Sequence, residues 1–74
     1  MEEKVLEIMS KTFNIDIFLL SEKTSKKDLG EWDSFSHLNL IVDIEDEFNI
    51  NFSNEEMITI IDFKSLLKMI KNKI

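Results

Sequence analysis

The chain has no cysteine, no proline, no arginine and a single glycine among its 74 residues, and each shortage removes a class of structure. Without cysteine, neither a disulfide nor a thiolate metal site reinforces a domain that, at this length, buries only roughly 60% of the surface its unfolded form exposes. The fold must therefore rest on apolar packing. One glycine cannot build a Gly-rich phosphate-binding loop, and one histidine (His37) with no cysteine excludes zinc-type clusters, so no metal is expected. Long apolar runs are also missing. The longest uninterrupted one is Ile17 to Leu20, and Met1-Glu2-Glu3-Lys4 does not lead into an apolar stretch, so neither a membrane span nor a secretory signal is expected. The absence of cysteine fits a reducing compartment, and a cytoplasmic location is expected.

What is present is 43% hydrophobic and 32% charged residues, a globular and helical composition rather than a disordered or strand-rich one. One all-α domain over residues 1–74 is expected. Nine lysines against fifteen acids leave a net charge of -6, without the basic face that nucleic acid needs. The acids are concentrated. From Asp28 to Asp62 there are ten and no lysine, while the flanks hold five acids and all nine lysines, so the middle of the chain is an anionic surface.

Val5, Leu6, Ile8, Met9 and Phe13 recur at helical spacing and predict a first helix from about Glu2 to Asn14. From Ile15 to Asp33 the pattern fails, and a long loop is expected, pinned by Ile15, Ile17, Phe18, Leu19 and Leu20 and closing on Leu29-Gly30. Loops this long in small domains are more often functional than accidental. A second helix starts at Asp33 or Ser34, with Asp33 a favoured N-cap. Phe35, Leu38, Ile41, Val42 and Phe48 form its expected buried stripe, Ser36, Asn39, Asp43, Asp46 and Glu47 its solvated face, and it ends near Asn49. Ser53 and Glu56 form a capping-box pattern opening a short helix through Met57 or Ile58. The last helix, from near Asp62, carries Phe63, Leu66, Leu67, Ile70 and Ile74 on one side and Lys64, Lys68, Lys71 and Lys73 on the other. The expected fold is a small four-helix bundle, three main helices and one short, with a core of Leu6, Met9, Phe13, Leu38, Val42, Phe48, Phe63, Leu67 and Ile70.

Few residues can carry chemistry. Asp33, Ser34 and His37 lie close together, but three members on one helical turn do not place a base behind a nucleophile and an acid behind the base, so a catalytic triad is not expected. His37 reads as a surface or boundary residue beside Ser34. The run Asp43-Ile44-Glu45-Asp46-Glu47 lacks the glycine turn and oxygen spacing of a calcium loop and reads as a helix face. Glu45 lies between the polar and apolar sides and is either a docking acid or a boundary residue bonded within the bundle.

The distinctive stretch is Leu29-Gly30-Glu31-Trp32-Asp33-Ser34-Phe35, a loop that delivers a serine to the head of an acidic helix. From Leu29 to Phe48 the sequence resembles the acyl carrier protein family, whose hallmark is Asp-Ser followed by an apolar residue at the start of the second helix, shortly after Leu-Gly. Asp33-Ser34-Phe35 match it, and Leu38, Ile41, Val42, Ile44-Glu45 and Glu47-Phe48 resemble the continuation of that helix. Ile60, Phe63, Leu67 and Ile70 match the apolar positions of the family's last helix, so the resemblance covers nearly the whole chain. It implies a carrier and not an enzyme. Ser34 would bear a 4'-phosphopantetheine arm taken from coenzyme A, whose thiol carries acyl groups as thioesters between biosynthetic enzymes.

By the same resemblance Asp33 helps to present Ser34, Phe35 and Leu38 border the arm, and Asp43, Asp46 and Glu47 form a docking face. The implied partners are a phosphopantetheinyl transferase and acyl-loading and acyl-transferring enzymes with basic patches; the carrier itself is expected to be a monomer. The extra residue in Glu31-Trp32 resembles specialised discrete carriers, and Phe35, in place of the usual leucine, is expected to reshape the space for an acyl chain from within the core. Two alternatives stand beside this reading: a peptidyl or amino-acid carrier, and an unmodified acidic protein-interaction module.

Overall fold

The computed structural model describes residues 1–74 and consists of four α-helices and one short 3-10 turn: α1 (Glu2–Phe13), the turn Ile17–Leu19, α2 (Ser34–Phe48), α3 (Asn54–Thr59) and α4 (Phe63–Lys73). It contains no strand; the one sheet-like contact is an isolated antiparallel bridge between Ser25 and Asp62. The all-α four-helix arrangement expected from the sequence is the one observed.

Local chemistry sets the helix ends. The Asp33 carboxylate accepts from the Ser36 backbone N–H at 2.8 Å and starts α2. Ser53 and Glu56 form the expected capping box at α3. Asp62 and Ser65 form a second, unexpected one at α4, which fixes the register of the most amphipathic helix. Both α1 and α2 stop at an asparagine in the left-handed conformation, Asn14 at φ 56° and Asn49 at φ 54°. The short polar side chain of asparagine tolerates that conformation where most residues do not.

One core joins the elements: Val5, Met9 and Phe13 of α1, Leu20 and Trp32 of the long connection, Leu40, Ile41 and Ile44 of α2, Ile60, and Phe63, Leu66, Leu67 and Ile70 of α4. Met9, Phe13, Phe63, Leu67 and Ile70 lie where the periodicity puts them. Leu6 and Phe48 are half-buried at its margin. Leu38 and Val42 are not in it: they are 55% and 54% exposed, and Phe35 is 75% exposed. At 3.6 residues per turn the helix carries two apolar stripes centred about 140° apart. The stripe His37, Leu40, Ile41, Ile44 turns inward, because α1 and α4 present their apolar faces there, and Phe35, Leu38, Val42 are left in solvent. Phe35 therefore does not reshape the core.

The long connection is more ordered than a loop pinned by an apolar knot. Leu20 is buried and Ile15 and Ile17 half-buried, but Phe18 and Leu19 face outward. The stretch is held instead by backbone pairing. Lys26 N–H donates to the Ile61 carbonyl at 2.9 Å, and Phe63 N–H donates to the Thr24 carbonyl at 2.9 Å, tying residues 24–26 to the junction of α3 and α4.

Candidate functional site

Asp33 and Ser34 stand at the N-terminal end of α2, both exposed. The Asp33 carboxylate is held below the usual carboxylate range, first by the Ser36 backbone N–H and then by the Ser36 hydroxyl. It stays ionised and keeps the first turn capped. The Ser34 hydroxyl makes no hydrogen bond within the chain. It is thus an accessible, uncommitted oxygen at the positive end of a helix dipole, a place that stabilises an attached anion.

Two cavities share Ser34 as a lining residue. The first, about 310 Å³, lies between α2 and the α3 region and is lined by Ser34, Leu38, Met57, Ile58, Ile60 and Ile61 together with Lys26 and His37. The second, about 600 Å³, runs from Ser34 and Asp33 past Trp32 to Lys26, Lys27, Ile61 and Asp62. An exposed serine beside one cleft lined mostly by apolar residues and another that also carries lysines, aspartates and serines fits a long ester-linked substituent: the hydroxyl is free to be esterified, and there is room on either side. Leu38 lines the first of these cavities. Phe35 does not line it and belongs to the exposed outer stripe of α2.

His37 is buried, not a boundary residue. The Trp32 indole Nε1–H donates to His37 Nδ1 at 2.9 Å, so that nitrogen must accept, and the neutral ring's proton is on Nε2, which reaches the Met57 carbonyl at 2.9 Å. A relay from the segment before Ser34, through α2, to α3 therefore fixes the wall of the first cavity. Trp32, 1% exposed, also packs against Phe13 with ring centroids 5.5 Å apart. Sequence periodicity missed this pair because Trp32 lies outside any helix; the lone tryptophan in a polar loop of so small a domain was the available signal.

The expected docking acids Asp43, Asp46 and Glu47 are exposed on one side of α2 and line one shallow depression with Ile8 and Lys11. Their surroundings are less purely anionic than the sequence implies. Thr12 Oγ1 donates to Asp43 at 2.6 Å, and Lys4 lies 3.9 Å from Glu47. Folding brings α1 lysines to acids that have none nearby in sequence. Glu45 separates from the group: its Oε2 accepts from the Phe52 backbone N–H at 2.8 Å, so it is a boundary residue bonded within the bundle. On α3, Glu56 accepts from Ser53 N–H and pairs with Lys73 at 3.0 Å; those two contacts, in that order, hold its carboxyl below the usual range.

No family model matches the chain. It is 35% identical over 72 residues to the acyl carrier protein homolog of Mycoplasma genitalium, covering 93% of this chain and 82% of the relative. Its backbone is similar to the solution NMR structure of holo acyl carrier protein from Geobacter metallireducens, with a TM-score of 0.86, 30% identity, and coverage of 97% of this chain and 83% of that one.

Proposed function

Because the chain belongs to the acyl carrier protein family, we propose that Ser34 bears a 4'-phosphopantetheine arm and that the 74-residue domain, without catalysing a reaction itself, shuttles acyl groups between biosynthetic enzymes. The observation that carries the reading is the free Ser34 hydroxyl at the capped head of α2, opening on two cavities. When attached, the arm supplies the thiol that this cysteine-free chain lacks and holds cargo as a thioester. The protein's residues do the rest. Ser34 provides the ester oxygen. Asp33 keeps the first helical turn intact around it, and the dipole of α2 offsets the charge placed there.

Leu38, together with Met57, Ile58, Ile60 and Ile61, provides apolar surface beside Ser34, and the Trp32–His37–Met57 relay keeps that surface in place. Phe35 and Leu38, exposed on the outer stripe of α2, and Asp43, Asp46 and Glu47 beyond them form the face offered to partners: a phosphopantetheinyl transferase and acyl-handling enzymes with basic patches. An anionic face steers cationic partners and makes their association salt-dependent. The carrier acts as a monomer.

Coexpression with a phosphopantetheinyl transferase followed by intact-mass measurement tests the assignment. The parent protein gains the mass of one arm, and Ser34→Ala gains none while keeping its helical circular dichroism. Modification that survives in Ser34→Ala, or a parent that is never modified, defeats the reading.

A further inference from the structure

The first cavity is apolar except at three residues, and two of the three are already accounted for. His37 has both ring nitrogens engaged, by Trp32 and Met57, and Ser34 is the attachment point. Lys26 remains. It is half-buried, lines both cavities that share Ser34, and takes part in none of the three ion pairs of the protein. Its place is set by backbone, since its N–H bonds the Ile61 carbonyl at 2.9 Å beside the Ser25–Asp62 bridge. Lys27, also free of ion pairs, lines the second cavity next to it.

The carboxylates in that second cavity do not claim these lysines. Asp33 is turned to the Ser36 N–H and Asp62 to the Ser65 N–H at 2.7 Å, each serving as a helix cap. A phosphodiester on Ser34 adds a negative charge one residue from ionised Asp33, in a chain of net charge -6. Two adjacent anions at one helix start repel, and a cation on the same cavity wall offsets that repulsion most where solvent is partly excluded.

We propose that Lys26, backed by Lys27, is the counter-ion of the phosphodiester joined to Ser34 and seats the root of the arm against the α3–α4 junction. This inference rests on the reading of Ser34 as the arm-bearing residue. It makes Lys26 a binding residue for an anionic ester oxygen, and it makes the second cavity the phosphate side of the site and the first the cargo side.

Apo and holo forms of the parent, Lys26→Met and Lys26→Arg, each verified by intact mass, test it through melting temperature at low salt. Attaching the arm leaves the parent and Lys26→Arg as stable as their apo forms or more so, and destabilises Lys26→Met, a difference of roughly 1–5 °C. The difference shrinks at about 1 M salt, where the screening length falls to about 3 Å. An arm that loads normally but shifts all three proteins equally overturns the role of Lys26 and leaves the Ser34 reading intact; a parent that takes no arm overturns both. Loading with hexanoyl or succinyl cargo separates two sources of negative charge: an effect of Lys26 confined to the succinyl form assigns the cation to the cargo carboxylate and overturns the phosphodiester seat. Should Lys26→Met fail to fold, phosphorus-31 relaxation of the parent holo protein decides. A phosphorus restrained at low salt and released by added salt supports the seat, and one mobile at every salt concentration overturns it.

Discussion

The two apolar stripes of α2 are built from the same kinds of residue, yet one is a core and the other a surface. Leu40, Ile41 and Ile44 are buried; Phe35, Leu38 and Val42 stand in solvent on the adjoining side of the same helix. Intrinsic hydrophobicity does not separate them. What separates them is what folds opposite: α1 and α4 close over the first set, whereas over the second the α3 region approaches only Leu38, across an open cavity. An exposed apolar row costs little in folding stability but is available to other molecules, so one helix divides its apolar residues between holding the fold and facing outward.

The sharpest way to break this comparison is to truncate one leucine from each stripe. Leu40→Ala removes a side chain with no exposed surface and is expected to destabilise by about 2–5 kcal/mol in chemical denaturation. Small domains have little more than that in total, so the variant should be largely unfolded at physiological temperature. If Leu40→Ala unfolds no more readily than Leu38→Ala, the two stripes are not distinct.

A smaller effect is expected at the inner stripe's polar member. Trp32→Phe keeps the aromatic packing on Phe13 but removes the only donor to His37 Nδ1, leaving a buried acceptor unpaired at about 1–3 kcal/mol. Equilibrium denaturation checks it, and a neutral outcome means that the relay contributes nothing to the packing of α3.

Acid sharpens the comparison at the helix ends that hold both stripes in register. Asp33, Glu56 and Asp62 are all depressed from their ordinary values of 3.8, 4.5 and 3.8, Asp62 by the hydroxyl and backbone N–H of Ser65. Folding therefore favours their ionised forms. The stability they lend is complete above those ordinary values and is lost as the pH falls through the depressed ones. Melting temperature should fall on that acid limb, and Asp62→Asn, which has no proton to gain, should flatten part of it. The smallest effect is expected on the outer stripe: Leu38→Ala should change stability by no more than about 0.5 kcal/mol, while arm loading by the transferase slows. Unchanged loading would remove Leu38 from the partner face.

Most of the architecture was legible because helix periodicity and capping are local. Phe63, Leu66, Leu67 and Ile70 repeat with a single phase, and Asp33 and Ser53 announce helix starts in the residues that follow them. The Asp33 cap beside Ser34, the candidate site, was legible for the same reason, as a short local motif. The inward face of α2 was not, because two phases of apolar residues coexist and only the neighbours choose between them. Trp32, His37 and the lysines approaching Asp43 and Glu47 were hidden for a related reason: their partners are distant in sequence or lie outside regular structure.

The pairing of Thr24 with Phe63 and of Lys26 with Ile61 closes the chain between them into a ring that contains α2 and α3, leaving α1 and α4 outside it. The entropy of closing such a ring rises only with the logarithm of its length, about 0.6 kcal/mol for each doubling, so one residue more or less is almost free. Length within the ring is therefore cheap, and phase is not. A residue inserted between Trp32 and Ser34 adds almost nothing to that closure entropy, yet it moves the serine away from the anchored indole.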